Sequence, residues 1–325
     1  MIWIQFALSA VLIVIAAVKL AQYSDAISVR TGLGGMFIGT LLMAMATSLP
    51  ELLTMINSIN QEVPSLAAGN IFGSSMFNMF VLALLDLLYR SAYVLRAVAI
   101  SHVLTASLAV LLTGLAVFLL LVGVEVEIGW VGLDSLALIA AYVGAVRLIQ
   151  VSNASNAPPL EMTEAEIEAL KVPTLRTAVI GFTAATVALV LVTPLLVSSS
   201  VGIAEATGLT TGFVGTTLVA IVTSLPEVVT TIAAARIGAF DLAVGNLFGS
   251  NVFNIFSLGL TDLFYSNGRF LGAIDPALAV AGLTALLLTC LASIAIAARV
   301  ERRRFSLIGI LVIVGYFGGM WLLFN

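Results

Sequence analysis

Two glutamates stand where a carboxylate is costly. Glu51 closes the pentapeptide Thr47-Ser48-Leu49-Pro50-Glu51, and Glu227 closes its duplicate, Thr223-Ser224-Leu225-Pro226-Glu227, 176 positions later. Each copy lies in an apolar run, and a charge at the centre of a membrane helix costs about 2.5–3.5 kcal/mol on insertion scales. Keeping it twice implies that something compensates. Each proline lacks an amide hydrogen and clashes with the carbonyl four residues back, which frees the carbonyl of Ala46 in one copy and of Val222 in the other. At membrane depth such carbonyls are tolerated where protein, water or an ion satisfies them. A simple kink explains one proline, but not a glutamate that follows in both copies. Every donor atom offered beside the breaks is oxygen, a set that suits hard cations such as Na⁺ and Ca²⁺. Two facing carboxylates repel, so protons are expected to compete for them when no cation is bound.

A second element repeats at the same offset. Gly69-Asn70-Ile71-Phe72-Gly73-Ser74 recurs as Gly245-Asn246-Leu247-Phe248-Gly249-Ser250. Glycines four apart give small faces that let helices approach closely. Ser74 and Asn78 are four apart and share one helical face, as do Ser250 and Asn254. An asparagine carbonyl offers a cation oxygen without charge. Asn70 and Asn246 are expected to hydrogen-bond the broken-helix backbone.

These residues must be positioned by membrane helices. The chain of 325 residues is 61% hydrophobic and 9% charged, against roughly 45–50% and about 25% for soluble domains. Several apolar stretches exceed the ~20 residues a spanning helix needs. No basic stripe suggests nucleic acid, and the single Cys290 excludes an internal disulfide or a cysteine metal cage. The first apolar run lacks a positive n-region and reads as a retained helix rather than a signal peptide.

Polar breaks predict ten spans, near 3–22, 34–59, 65–88, 97–121, 127–150, 175–198, 208–235, 241–264, 273–298 and 305–324. The 151–174 segment is read as a cytoplasmic linker, with a short surface helix capped by Thr163 and Glu166. It separates a first five-helix repeat, 1–150, from a second, 175–325. The repeat continues beyond the motifs at the same offset. Thr31-Gly32-Leu33 matches Thr207-Gly208-Leu209; Phe37, Gly39, Thr40, Leu42 and Ala44 match Phe213, Gly215, Thr216, Leu218 and Ala220; Asp86-Leu87 matches Asp262-Leu263. A unit with an odd number of spans must re-enter the membrane upside down, which predicts an inverted repeat with its site near the midplane. Of the 13 basic residues, all but Arg269 fall on one side in this scheme, from Lys19 and Arg30 to Arg302-Arg303-Arg304. The positive-inside rule makes that side cytoplasmic and both termini extracytoplasmic, in a multi-pass protein of the cell membrane.

With the motifs in hand, the chain resembles the cation/calcium exchanger superfamily, and is most similar to its sodium/calcium exchanger branch. The likeness is carried by the Thr-Ser-Leu-Pro-Glu and Gly-Asn…Gly-Ser elements of both halves. It implies a central cluster of cation sites in which Glu51 and Glu227 are the shared ligands. Thr47, Ser48, Thr223 and Ser224 would add hydroxyl or carbonyl oxygens, Ala44 and Ala220 their carbonyls, and Ser74 and Ser250 their hydroxyls. Asn78 and Asn254 would flank the middle site. Two features depart from the family pattern. Gly commonly precedes the Thr where this chain has Ala46 and Val222, and Asp stands in well-known sodium/calcium exchangers at the position of Asn254. The pocket then holds two acids, which can neutralise one Ca²⁺ and leaves the number of Na⁺ open.

The function expected is exchange of cytoplasmic Ca²⁺ for external Na⁺ by alternating access. The resemblance implies that the first and sixth spans slide across a core holding the site. A Ca²⁺/H⁺ antiporter on the same fold is the alternative. Neither reading needs a cofactor or an evident protein partner, only the ions and the bilayer. The chain has no phosphate loop of the Gly-x4-Gly-Lys type, so gradients must supply the energy. It is not read as an enzyme: a hydrolase on Ser48 or Ser224 lacks a candidate base, because the only histidine, His102, lies elsewhere. A passive channel would carry flux without a counter-ion. His102 reads as interfacial or packed, Asp86 and Asp262 as helix-end caps or salt-bridge partners, and the arginine run as a topology signal.

Overall fold

The computed structural model describes residues 1–31, 43–89, 101–154, 172–297 and 302–325. Over these it is an all-α assembly of the membrane type, with twelve helices and one two-stranded hairpin. Seven helices are long and apolar enough to cross a membrane, and a bent pair makes an eighth candidate. The polarity is inside out. Glutamates, asparagines and serines are buried, while Leu8, Val11, Val187, Leu191, Val314 and Phe317 point outward.

The first helix, α1 (Ile2–Thr31), passes the expected end near residue 22 because no proline or glycine interrupts it. Helices α2 (Leu49–Asn60) and α3 (Pro64–Leu88) form a hairpin, each started by a proline in its first turn, where a missing amide costs nothing. Helix α4 (Ser101–Val122) follows. A span beginning at 127 was expected, but Gly129 at φ +73° turns residues 127–132 into a hairpin of β1 (Glu127–Ile128) and β2 (Val131–Gly132). Helix α5 (Leu133–Ala154) therefore starts later.

In the second half, α6 (Leu175–Thr207) runs 33 residues until Gly208 at φ +75° stops it. The expected 208–235 span is broken into α7 (Thr211–Val214), a π-helical segment Gly215–Val219, α8 (Ala220–Thr223) and α9 (Leu225–Arg236), with a 41° bend between Thr223 and Leu225. Then come α10 (Phe240–Thr261), α11 (Ala279–Ala297) and α12 (Arg302–Phe324). Helix α10 is not among the seven apolar spans, since Asn246, Ser250, Asn251 and Asn254 lower its hydropathy. The linker helix capped by Thr163, the matched residues Gly32, Leu33, Phe37, Gly39, Thr40 and Leu42, and Arg90, Arg96, Lys171 and Arg299 lie outside the described residues.

Two apolar cores hold these elements. One is centred on α3, α4, α10 and α11, with Phe72, Met76, Phe248, Ile255 and Leu288 wholly buried or nearly so. The other joins α1 and α6 to the broken segments through Ile13, Leu20, Leu189, Val214 and Val219. Helices α1 and α6 run antiparallel along their length: Gln5 Nε2 donates to Ser198 Oγ at 3.2 Å, and Arg30 Nη2 donates to the Val172 carbonyl at 2.6 Å. Asp262, expected as a cap, accepts amides from Gly132 and Phe270, both at 2.7 Å, and so ties the hairpin to the loop after α10. Beside it Arg269 pairs with buried Asp134 at 3.2 Å. Asp86 is buried as well.

Candidate cation site

The site begins with two interrupted helices. At Ser48 the backbone leaves helical geometry (φ −88°, ψ 7°), and Ser224 does the same (φ −88°, ψ 0°). The break falls at the serine, two residues before the proline, and the ladder resumes with Leu52 N–H to Ser48 O at 3.3 Å and Val228 N–H to Ser224 O at 3.2 Å. This places each glutamate in the first turn of a new helix, where unpaired amides and the helix dipole favour negative charge.

The glycines of α3 bring that helix against the second broken segment. A side chain at Gly69 would sit 2.3 Å from the Gly212 carbonyl, and one at Gly73 would sit 2.3 Å from the Thr216 carbonyl. The π-helical segment therefore lies backbone to backbone with α3. π-Segments of this kind frequently occur at functional sites.

Both halves then supply one polar cluster. Ser48 Oγ donates to Glu227 Oε1 at 2.9 Å, and Ser224 Oγ donates to Glu51 Oε1 at 3.1 Å. Each carboxylate thus takes a serine from the opposite copy of the pentapeptide. Each also takes one from the adjoining glycine-rich element: Ser74 Oγ to Glu51 Oε1 at 3.5 Å, Ser250 Oγ to Glu227 Oε1 at 3.3 Å. Glu51, Glu227, Ser48, Ser224, Ser74 and Ser250 are all buried to within 1%.

The threonine hydroxyls lie beside the carboxylates and also reach the asparagines of the glycine-rich elements. Thr47 Oγ1 lies 3.4 Å from Asn246 Oδ1, and Thr223 Oγ1 donates to Asn70 Oδ1 at 2.9 Å. Asn70 Nδ2 reaches the Glu51 carbonyl at 3.5 Å, as a backbone role requires, whereas Asn246 Nδ2 goes to the Thr230 hydroxyl at 3.0 Å. The carbonyls of Ala44 and Ala220 are engaged within their own helices. Ala44 O accepts Ser48 N–H at 3.0 Å and the Thr47 hydroxyl at 3.2 Å; Ala220 O accepts Ser224 N–H at 3.1 Å, while Thr223 Oγ1, 3.4 Å away, gives its one proton to the nearer Asn70 Oδ1. The Ala44 carbonyl, with both lone pairs in use, would reach a cation only after Thr47 rotates.

The two asparagines belong to a ladder that crosses between the copies. Asn78 Nδ2 donates to Asn251 Oδ1 at 2.9 Å, Asn251 Nδ2 to the Ser75 carbonyl at 3.3 Å, and Asn254 Nδ2 to Ser75 Oγ at 3.2 Å. Ser75 and Asn251 were not anticipated as part of the site. The signal was available, because they are themselves 176 positions apart and polar in otherwise apolar helices.

What the cluster leaves over is acceptor capacity. Glu51 Oε2, Glu227 Oε2, Asn78 Oδ1 and Asn254 Oδ1 are buried without a hydrogen-bond partner. Buried polar atoms are nearly always satisfied, and these four acceptors in symmetry-related pairs form a set that a cation, a proton or water can satisfy. Among the described residues no group of three or more Asp, Glu, His or Cys side chains comes together. The only acids here are two carboxylates among neutral oxygens. His102, away from the cluster, pairs with Asp241 at 3.2 Å.

Known proteins place this arrangement in a family. The sodium/calcium exchanger protein family profile matches residues 1–150 and 177–325. The putative antiporter CaxA of Alkalimonas amylolytica is 27% identical over 97% of this chain and 96% of its own. The sodium/calcium exchanger MaX1 of Methanosarcina acetivorans is 53% identical over 70 residues, which span 21% of this chain and 20% of that one. Among solved structures, the H⁺/Ca²⁺ exchanger CAX superposes with a TM-score of 0.74 at 14% identity, covering 99% of this chain and 85% of that one. The sodium-calcium exchanger NCX_Mj, soaked with Na⁺ and Sr²⁺, gives 0.59 at 22% identity over 98% of both chains. At such identities the two structures speak to the fold alone. Matched along nearly all of its length, the chain belongs to the sodium/calcium exchanger family of cation antiporters, which are transporters and not enzymes.

Proposed function

We propose that the protein exchanges Ca²⁺ for Na⁺ by alternating access, with Glu51 and Glu227 as the ligands both cations share. The observation that carries this reading is the set of four orphaned acceptors: Glu51 Oε2, Glu227 Oε2, Asn78 Oδ1 and Asn254 Oδ1. All are oxygens, as hard cations prefer, and two carboxylates balance one Ca²⁺. The serine hydroxyls of Ser48, Ser74, Ser224 and Ser250, which now donate to the carboxylates, can turn their lone pairs to a cation instead. Thr47, Thr223 and the carbonyls of Ala44 and Ala220 complete the sodium positions once Thr47 releases the Ala44 carbonyl.

In the same reading the chain crosses the membrane ten times as two inverted five-helix repeats, residues 1–150 and 175–325, joined by a cytoplasmic linker at 151–174. The exchange of serines between copies supports this, because each pentapeptide hydrogen-bonds the glutamate of the other. Both termini then lie outside the cytoplasm, in a protein of the cell membrane. Both cations compete for Glu51 and Glu227, so the carrier crosses loaded and not with two bare carboxylates.

The test is ⁴⁵Ca²⁺ uptake into proteoliposomes. An outward Na⁺ gradient is expected to drive uptake at uniform pH. Uptake driven by a proton gradient and not by Na⁺ would replace this reading with Ca²⁺/H⁺ antiport on the same two carboxylates. Uptake independent of any counter-ion would make the protein a channel.

A further inference from the structure

We propose that the groove between α1 and α6 is a binding site for one anionic phospholipid, its acyl chain lying along the groove and its phosphate on Lys19. The groove has a volume of about 310 Å³ and runs from Leu12 and Val192 past Lys19 and Ala184 to Tyr23 and Gly181. Its floor is made by the small residues of α6. Its walls are Leu12, Ile15 and Val192. Leu12 to Tyr23 on one helix and Gly181 to Val192 on the other are each eleven helical steps, about 16 Å of helix. That equals one leaflet, half of a ~30 Å hydrocarbon core. The groove is thus one leaflet long and apolar along that length.

The ends differ. At one end the Tyr23 ring lies flat over Gly181, where a Cβ would come within 2.3 Å of it, and this closes the groove. Beside it Lys19 is exposed, and its ammonium donates only to the neutral Gln22 Oε1, at 3.1 Å. Among the described residues no carboxylate forms an ion pair with Lys19. A tyrosine and a lysine at one end of an apolar slot match the interfacial anchors of membrane helices, with the lysine reaching toward headgroup depth. An unpaired cation there is complementary to a lipid phosphate. Basic pockets between membrane helices hold anionic headgroups on these grounds.

The position gives occupancy a consequence. Helices α1 and α6 form a paired unit whose inner face packs on the broken segments that carry Ser48 and Ser224. A chain seated between them touches both helices of that unit.

Native mass spectrometry of the full chain, equilibrated with equal phosphatidylglycerol and phosphatidylcholine, tests this without reference to transport. The wild type is expected to retain one phosphatidylglycerol with roughly fivefold preference, the bias that one lysine at a membrane surface confers. Lys19→Gln should keep a bound lipid and lose the preference. Ala184→Phe, at an exposed groove position, and Ala188→Phe should each lose the lipid while the protein elutes as before. Equal retention of both lipids by the wild type, an undiminished preference in Lys19→Gln, or unchanged retention in both filled variants would overturn the proposal. A change of oligomeric state in the filled variants, without lipid loss, would assign the groove to a second copy and overturn it as well.

Discussion

The hydroxyl of Ser48 donates to Glu227 across 179 positions of sequence, at 2.9 Å, in the buried centre of the molecule. Its counterpart, Ser224 to Glu51, is 3.1 Å. Neither pentapeptide completes its own site. Each supplies a serine to the other's carboxylate, so each glutamate is tied to both broken helices.

Removing one carboxylate should abolish transport and leave the fold. Glu51→Gln and Glu227→Gln keep the shape and an acceptor for the serine hydroxyls. The expected result is ⁴⁵Ca²⁺ uptake at the protein-free background with an unchanged elution profile. Exchange retained in either variant would remove the central role assigned to the pair.

The crossed serines should be energetically coupled to the carboxylates. Hydrogen bonds to charged groups contribute about 1.5–3 kcal/mol. In ion-free buffer, Ser48→Ala should lower the melting temperature, and a double-mutant cycle with Glu227→Gln should return a coupling of about 1 kcal/mol or more. Additive effects would indicate that the two groups do not interact.

Asn254→Asp should change the charge moved per cycle. A third carboxylate would face the ladder of Asn78, Asn251 and Ser75, and the loaded site would take one more unit of positive charge. Reversal potentials measured against Na⁺ and Ca²⁺ gradients report this directly, since each charge couples to about 2.3 kcal/mol per 100 mV. An unchanged reversal potential would place Asn254 outside the ion path.

Gly73 tests the packing that holds the site. A Cβ there meets the Thr216 carbonyl at 2.3 Å and Thr216 Cα at 2.6 Å, so backbone must move. Gly73→Val should fail to yield monodisperse protein in size-exclusion chromatography. Gly144→Ala, where nothing lies within 4 Å, should behave as wild type.

Arg269 and Asp134 give a prediction away from the site. Removing one partner of a buried ion pair costs about 3–5 kcal/mol, because the other charge is left stranded. Arg269→Ala should lower thermal stability markedly, and adding Asp134→Asn should recover much of the loss. If the double variant melts no higher than Arg269→Ala alone, the pair is not what holds the loop to α5.

Much of this molecule was legible in one sequence because duplication doubles the signal. A carboxylate beside a proline in an apolar run is costly once; at the same offset in a second copy it names Glu51 and Glu227. The same offset placed Ser74, Ser250, Asn78 and Asn254 in one cluster, and helical spacing put each pair on one face. Hydropathy located the long helices, since twenty consecutive apolar residues have few other uses. Ser75 and Asn251 share that offset too, but their partners were set by the packing of α3 on α10, which turns them toward the other asparagines.

Composition, the helix-breaking prolines and the repeat were enough to determine a multi-helix membrane protein with two opposed acidic elements, because these depend on local chemistry and a shared offset. Tertiary structure decided the rest. Which serine serves which glutamate, whether the Ala44 and Ala220 carbonyls are free, and where the chain breaks all depend on how two distant segments pack. A hydrogen bond between residues 179 positions apart has no local signature. It exists because Gly69 and Gly73 let α3 lie against the broken helix of the other half.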